Sequence, residues 1–138
     1  MKEILFRGKR VDNGEWVVGL PLETSIKDYV EYGSSFYIVR GYAERDIDGW
    51  SFISNLVDPE TVGQYTGLTV PSGKIFEHDI VTAKFKSNGA RFNFTVKYSN
   101  KKGCYVFDNG SVKVPFDDIR SVRIIGNIHD NPELLGDK

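Results

Sequence analysis

The chain has 138 residues, of which 40% are hydrophobic and 27% charged, and its formal net charge is −1. This composition is typical of one soluble globular domain, or of two small modules that share a core, and it excludes transmembrane and collagen-like proteins. Met1 is followed by a charged, alternating segment instead of a secretory leader, so we expect a cytoplasmic location.

The nearly neutral total conceals an uneven distribution of charge. Residues 1–83 carry 8 basic and 13 acidic side chains, whereas residues 84–138 carry 10 basic and 6 acidic ones. The basic part is the candidate region for an anionic partner. The alternative interpretation is that the two parts attract each other, within a monomer or across an oligomer.

In the N-terminal part, apolar residues recur with a period of two, which indicates β-strands. Two strands are predicted over residues 2–10 and 15–20, and Asn13-Gly14 between them is typical of a hairpin turn. Further along, residues 36–39 and 50–53 have strand-like composition within the segment 23–60, which otherwise carries few structural signals.

The C-terminal part has the clearest strand patterns. In residues 91–98, Phe92, Phe94, Val96 and Tyr98 fall on one face and polar residues on the other, which predicts a half-buried strand. Further strands are predicted over residues 80–86, 103–108, 111–115 and 121–128. The Asn-Gly pairs at 88–89 and 109–110 predict hairpin turns, because both residue types tolerate positive φ angles, and Pro71-Ser72-Gly73 predicts another turn.

One helix is predicted, close to the end of the chain, where Asn131 would be the cap and Pro132 the first helical residue. The sequence therefore predicts an all-β fold of mainly antiparallel strands with a short C-terminal helix. An N-terminal β region over residues 1–60 would pack with a module over residues 61–138 that contains a small SH3-like or related barrel.

Three blocks of the sequence resemble the signatures of the YopX family, a group of small proteins encoded by bacteriophages and prophages. The blocks are residues 2–8, residues 64–68 followed by 73–81, and residues 124–135. One position differs, because His78 stands where the family usually has Gly. If that position requires positive φ, His adopts it less readily than Gly does. The resemblance implies an all-β protein of phage or prophage origin, and it implies no catalytic residues.

The residues of these blocks have an architectural interpretation. Tyr65 is expected to cover the core with its hydroxyl bonded at an edge, and its strand is expected to end at Gly67. Asp79 is expected to accept backbone N–H groups at a turn. Gly126 is expected to mark a β-bulge, which the side-chain amide of Asn127 would stabilise by hydrogen bonds. The complete set of predicted structural positions is Gln64, Tyr65, Gly67, Glu77, Asp79, Gly126, Asn127, Asn131 and Pro132.

The sequence contains no recognisable catalytic constellation. His78 and His129 lie outside nucleophile and metalloprotease motifs, and Cys104 lies on a predicted strand where we expect a buried, inert thiol. A metal-dependent hydrolase is the least favoured alternative, and it would use Glu77 and Asp79 or the acidic residues at 44, 46 and 48. We expect no enzyme activity, cofactor or metal ion.

Basic residues recur between Lys84 and Arg123 and alternate with aromatic ones, and we call this region the basic stripe. Such a pattern is typical of nucleic-acid-binding proteins, whose basic residues contact the phosphate backbone. The predicted nucleic-acid-binding residues are Lys84, Lys86, Arg91, Lys97, Lys101 and Lys102. The favoured function is a non-enzymatic accessory protein of the YopX type that binds a host or phage macromolecule or assembles into a homo-oligomer. Nucleic-acid binding through the stripe is the alternative, and no membrane partner is expected.

Overall fold

The structure is a computed structural model that describes residues 3–25, 34–42 and 52–136. These ranges are nearly all antiparallel β, which confirms the all-β, mainly antiparallel part of the predicted fold class, and they contain no helix that could span a membrane. The chain divides into two units, Met1–Gln64 and Tyr65–Lys138. The strands are β1 Phe6–Arg10, β2 Trp16–Ser25, β3 Ser34–Tyr42, β4 Phe52–Val70, β5 Gly73–Phe76, β6 Asp79–Phe85, β7 Arg91–Ser99, β8 Cys104–Asp108, β9 Lys113–Val114 and β10 Ile119–Asn127.

In the first unit, four antiparallel ladders close into a ring. Strand β1 pairs with β2 and with β4, while β3 pairs with β2 and with β4. Val17, Ile38 and Val57 are buried and form its core. Gly19 is required at a close approach, because a Cβ there would lie 2.1 Å from the carbonyl oxygen of Val39.

In the second unit, five antiparallel strands form a sheet in the order β10-β6-β7-β8-β9, and β5 pairs with the end of β4. The predicted Asn-Gly hairpin turns join β6 to β7 and β8 to β9, with Gly89 at φ 73° and Gly110 at φ 94°. The hydrophobic core of this unit consists of Ile75, Val81, Ala83, Phe94, Val96, Phe107 and Ile119.

The predicted C-terminal helix is wrong, because residues Pro132–Leu135 form only a 3-10 turn. The bonds from Leu134 N–H to the Asn131 carbonyl and from Gly136 N–H to the Glu133 carbonyl both span three residues. The Asn131 side chain forms no capping hydrogen bond, because its Oδ1 instead accepts the Asn127 N–H at 3.3 Å. The turn ends at Gly136, which has φ 75°. Pro132 does lie at the first position of the turn.

Two details of the predicted strands also differ. The strand expected to end at Gly67 continues to Val70, and Gly67 at φ 89° accompanies a shift in the pairing of β4 with β5. On β7 the predicted alternation of exposure is not seen: Phe94, Thr95 and Val96 in the middle are all buried, whereas Phe92 and Tyr98 towards the two ends are exposed. At these ends Phe92 contacts Phe85 and Tyr98 contacts Tyr105, and each of the two outer residues stays about half exposed.

Candidate nucleic-acid interface

Three neighbouring strands align basic residues across the C-terminal sheet. Lys84 on β6 is paired with Arg91 on β7 and with Arg120 on β10. Residues directly opposite each other in antiparallel strands point to the same face, and neighbouring strands lie about 4.8 Å apart. Arg120, Lys84 and Arg91 therefore form a row about 10 Å long across one face of the sheet.

Arg123 joins this row because β10 contains a bulge. In a regular strand, residues three positions apart point to opposite faces, so Arg120 and Arg123 would be separated. Here the pairing shifts between these two residues, Ser121 adopts φ 55°, and Arg123 is paired with Thr82. The extra residue returns Arg123 to the face of Arg120. We call Lys84, Arg91, Arg120 and Arg123 the basic face.

The charges of the basic face are not neutralised within the described ranges. Among the described residues, the side chains of Lys84, Arg120 and Arg123 form no ion pair and no hydrogen bond. Arg91 Nη1 donates a hydrogen bond to Thr82 Oγ1 at 3.2 Å, and this partner carries no charge. A cluster of like charges without carboxylates attracts anions, because the field of each cation adds to that of its neighbours.

A shallow depression of about 390 Å³ lies on the basic face. It is lined by two arginines, Arg91 and Arg123, and by two hydroxyl-bearing residues, Thr82 and Ser121. Planar guanidinium groups bind phosphate oxygens through paired hydrogen bonds, and hydroxyls can donate to the same oxygens. The depression therefore has the donor groups that a phosphate or a similar oxyanion requires.

Only Lys84 and Arg91 of the six predicted binding residues belong to the basic face. Lys97 Nζ lies 3.1 Å from Asp108 Oδ2, so its charge is compensated. Although burial acts to raise the pKa of Asp108, the backbone N–H of Gly110 and the Lys97 ammonium group together hold that pKa below its usual value.

The other three predicted residues lie elsewhere on the second unit. Lys101 and Lys102 follow the end of β7 that is opposite Arg91, and the nine residues of that strand place them about 26 Å away. Lys86 lies beyond the end of β6 and lines a groove that also contains carboxylates. The predicted stripe is therefore divided in the structure.

The residues of the predicted structural motifs take part in local turns and bonds. Tyr65 is buried, and its hydroxyl lies 2.6 Å from Thr69 Oγ1. Asp79 is only 1% exposed, and its Oδ2 accepts the Phe76 N–H at 2.7 Å. The intervening His78 has φ 75°, in the region that Gly favours. The position at which the family usually has Gly therefore does require positive φ in this chain.

The C-terminal motif is also built around a local bulge. The pairing of β10 with β6 shifts between Ile124 and Gly126. Asn127 Oδ1 accepts the N–H groups of His129 and Asp130 at 3.0 and 2.9 Å, so this amide ties the turn that follows the strand.

Two further candidates from the sequence have clear positions. The expected burial of Cys104 is wrong, since its side chain is exposed at the start of β8. Glu77 and Asp79 belong to no group of three or more metal-ligating side chains among the described residues, and the acidic residues at 44, 46 and 48 lie outside those ranges.

Comparison with known proteins gives a family and a structural relative. The family model described as YopX protein matches residues 5–136. The crystal structure of protein EF1440 from Enterococcus faecalis is similar to this chain with a TM-score of 0.53 and 20% sequence identity, and the similarity covers 98% of this chain and 99% of that chain. At this identity the likeness concerns the fold. A comparison with curated proteins gave no match.

Proposed function

The chain belongs to the YopX family, and from this premise we propose that it is a non-enzymatic phage or prophage accessory protein that binds nucleic acid in the cytoplasm of the host bacterium. The observation that carries the proposal is the basic face, where four cations from three strands point the same way without a described carboxylate partner.

Nucleic acid suits this face because its backbone presents phosphates at regular intervals. Each phosphate neutralised by Lys or Arg releases condensed counterions, which supplies free energy whatever the base sequence. The total charge of −1 does not provide this attraction, so it must come from the local arrangement. The proposal includes the SH3-like barrel predicted for the C-terminal part, since a curved sheet can present several strands to one backbone.

The test is a binding titration with matched charge variants. A double variant Lys84→Gln and Arg120→Gln removes two charges of the basic face, and Lys101→Gln with Lys102→Gln removes two charges about 26 Å away. We expect the first to bind labelled DNA or RNA at least about tenfold more weakly and the second to bind like the wild type. Equal losses in both variants, or no binding by the wild type, would reject the basic face as the binding site.

A second candidate function is self-association through the first unit. The outward side chains of Val18, Leu20, Leu22 and Leu56 are 42–53% exposed, and Leu22 is paired with Tyr37, which in turn is paired with Leu56. A contiguous apolar sheet face is typical of an interface, and in a symmetric dimer this face would meet the same face of a second copy. Light-scattering mass over a range of concentrations tests it, and a constant monomer mass would exclude it.

A further inference from the structure

The aromatic and the basic residues of the C-terminal sheet lie on opposite sides of it. Successive residues of a strand point to opposite faces, so Phe85 points away from the side of Lys84, and Phe92 away from the side of Arg91. The strand pairings place six aromatic residues on the core side of the sheet, namely Phe85, Phe92, Phe94, Tyr98, Tyr105 and Phe107. Cations and rings that alternate in the sequence are therefore separated by the sheet.

The side that carries the basic face offers no ring on which a base could stack. Strands β6, β7, β8 and β10 are described in full, and none of their residues on that side is aromatic. Thr82 and Asn93, which are paired with each other next to the basic face, are polar and have no ring. Proteins that bind single strands use exposed aromatic side chains as stacking platforms. An unpaired base therefore gains no stacking contact from these strands.

The basic face is also too wide to read the edges of paired bases. Strands β10, β6, β7 and β8 are adjacent in the sheet, and at about 4.8 Å per interval their axes span about 14 Å. The major groove of B-DNA is about 12 Å wide and admits a helix or a two-stranded ribbon, and the minor groove is narrower. RNA duplexes are likewise recognised mainly through phosphates and 2′-hydroxyl groups. The side chains of the basic face therefore meet the backbone of a duplex and not its bases.

The C-terminal turn limits the direction in which a ligand can cross this face. Asn93 lies two residues along β7 from Arg91, and its Nδ2 donates a hydrogen bond to the Leu134 carbonyl oxygen at 2.8 Å. The turn Pro132–Leu135 therefore lies against β7 on the side of the basic face. The open direction for a ligand backbone is along the row of cations, across the strands.

A double helix meets these conditions best. It carries one negative charge per about 1.7 Å of its axis, about twice the density of one of its strands, and it exposes its phosphates while its bases stay stacked. We propose that the ligand is a double-stranded nucleic acid, bound through its phosphates alone and without readout of the base sequence. This inference rests on the proposed nucleic-acid function and specifies it. A single strand also binds through its phosphates, with lower affinity. DNA and RNA duplexes share this chemistry, and the experiment separates them.

The experiment compares ligands by fluorescence anisotropy with the full chain. The ligands are DNA duplexes of two unrelated sequences, an RNA duplex, one DNA single strand and an abasic strand that keeps the phosphates, each about 20 nucleotides long and so much longer than the row of cations. The proteins are the wild type, Arg91→Gln and the matched control Phe92→Leu. Arg91 and Phe92 are neighbours in the chain and both are exposed, but they lie on opposite sides of the sheet. Thermal unfolding checks that each variant remains folded.

The expected differences follow from counterion release. Four contacts give a slope of log affinity against log salt that is steeper by about 0.8 for a duplex than for a single strand, since each contributes about −0.9 or −0.7. If this contribution vanishes near about 1 M salt, the duplex should bind about sixfold more tightly than the single strand at about 0.1 M. Loss of one contact in Arg91→Gln should weaken duplex binding about eightfold under the same conditions, and Phe92→Leu should bind like the wild type.

The two duplex sequences should bind equally, and so should the abasic and the intact single strand, because the bases make no contact. A preference for the DNA or the RNA duplex identifies the source of the phosphates. Binding of the single strand as tight as that of the duplex, a difference between the two sequences, or a loss in Phe92→Leu as large as in Arg91→Gln would overturn the inference and leave the proposed function standing. If the wild type binds none of these ligands, the proposed function fails as well.

Discussion

The basic face predicts how steeply binding weakens as salt is added. With four cations engaged on single-stranded phosphates, the slope of log affinity against log salt concentration is about −2.8, since each contact contributes about −0.7. A rise from about 50 to 200 mM salt should then reduce the affinity of the wild type about 50-fold. In a double variant Arg91→Gln and Arg123→Gln two contacts remain, so the same rise should reduce its affinity only about sevenfold.

The assay is a series of anisotropy titrations of one labelled strand at four salt concentrations. The control is the double variant Lys101→Gln and Lys102→Gln, which has the same total charge as the variant of the basic face but leaves that face intact. Its slope should equal that of the wild type. If both double variants lower the slope equally, the attraction comes from the total charge and the argument from strand register is wrong. A wild-type slope near zero would show that phosphates are not the ligand.

Three further predictions concern the second unit. Gly126→Ala should lower the free energy of unfolding by about 1–3 kcal/mol, because the new Cβ would lie 2.5 Å from Asn131 Oδ1 and 2.9 Å from its Cβ, so the whole side chain must move; an unchanged denaturant midpoint would contradict the reported close approach. Asp79→Ala should cost about 1–3 kcal/mol by leaving the buried Phe76 N–H without an acceptor, whereas Asp79→Asn, which keeps an oxygen, should cost less, and equal losses in urea unfolding would contradict this. Burial, with smaller contributions from two neighbouring groups, raises the pKa of Tyr105 from 10.0 to about 12. The contribution of the protonated Tyr105 to stability is therefore complete below about pH 10 and is lost as the pH rises toward 12. Between about pH 9 and 11.5 the free energy of unfolding of Tyr105→Phe should fall less than that of the wild type, and parallel curves of unfolding free energy against pH would be inconsistent with the shift.

The strands and turns of the described residues could largely be predicted from the sequence, because the signals that specify them are local. A period of two over five or more residues indicates a strand wherever it occurs, and Asn-Gly supplies the positive φ that a tight turn needs. Gly89 and Gly110 show this positive φ in turns between paired strands. The C-terminal turn was mistaken for a helix because Asn131 and Pro132 satisfy a capping pattern locally, whereas the Asn131 side chain is engaged by Asn127.

The candidate site could be predicted only in part. The sequence identifies a surplus of cations after residue 84, but nearness in sequence does not show which of them share a face. Lys101 and Lys102 lie ten and eleven residues from Arg91 in the chain, and they follow the opposite end of its strand. Lys97 has its charge compensated by Asp108, which belongs to the neighbouring strand.

Composition and alternation by themselves determined that this is an antiparallel β protein with an excess of basic residues in its C-terminal part, because both properties are carried by short stretches of chain. Tertiary structure decided which cations meet. Arg91 and Arg120 are 29 residues apart, and they form one row because both strands pair with β6 at Lys84. The single extra residue at Ser121 then decides that Arg123 faces the same side, since a change of register by one residue reverses the face of every side chain that follows.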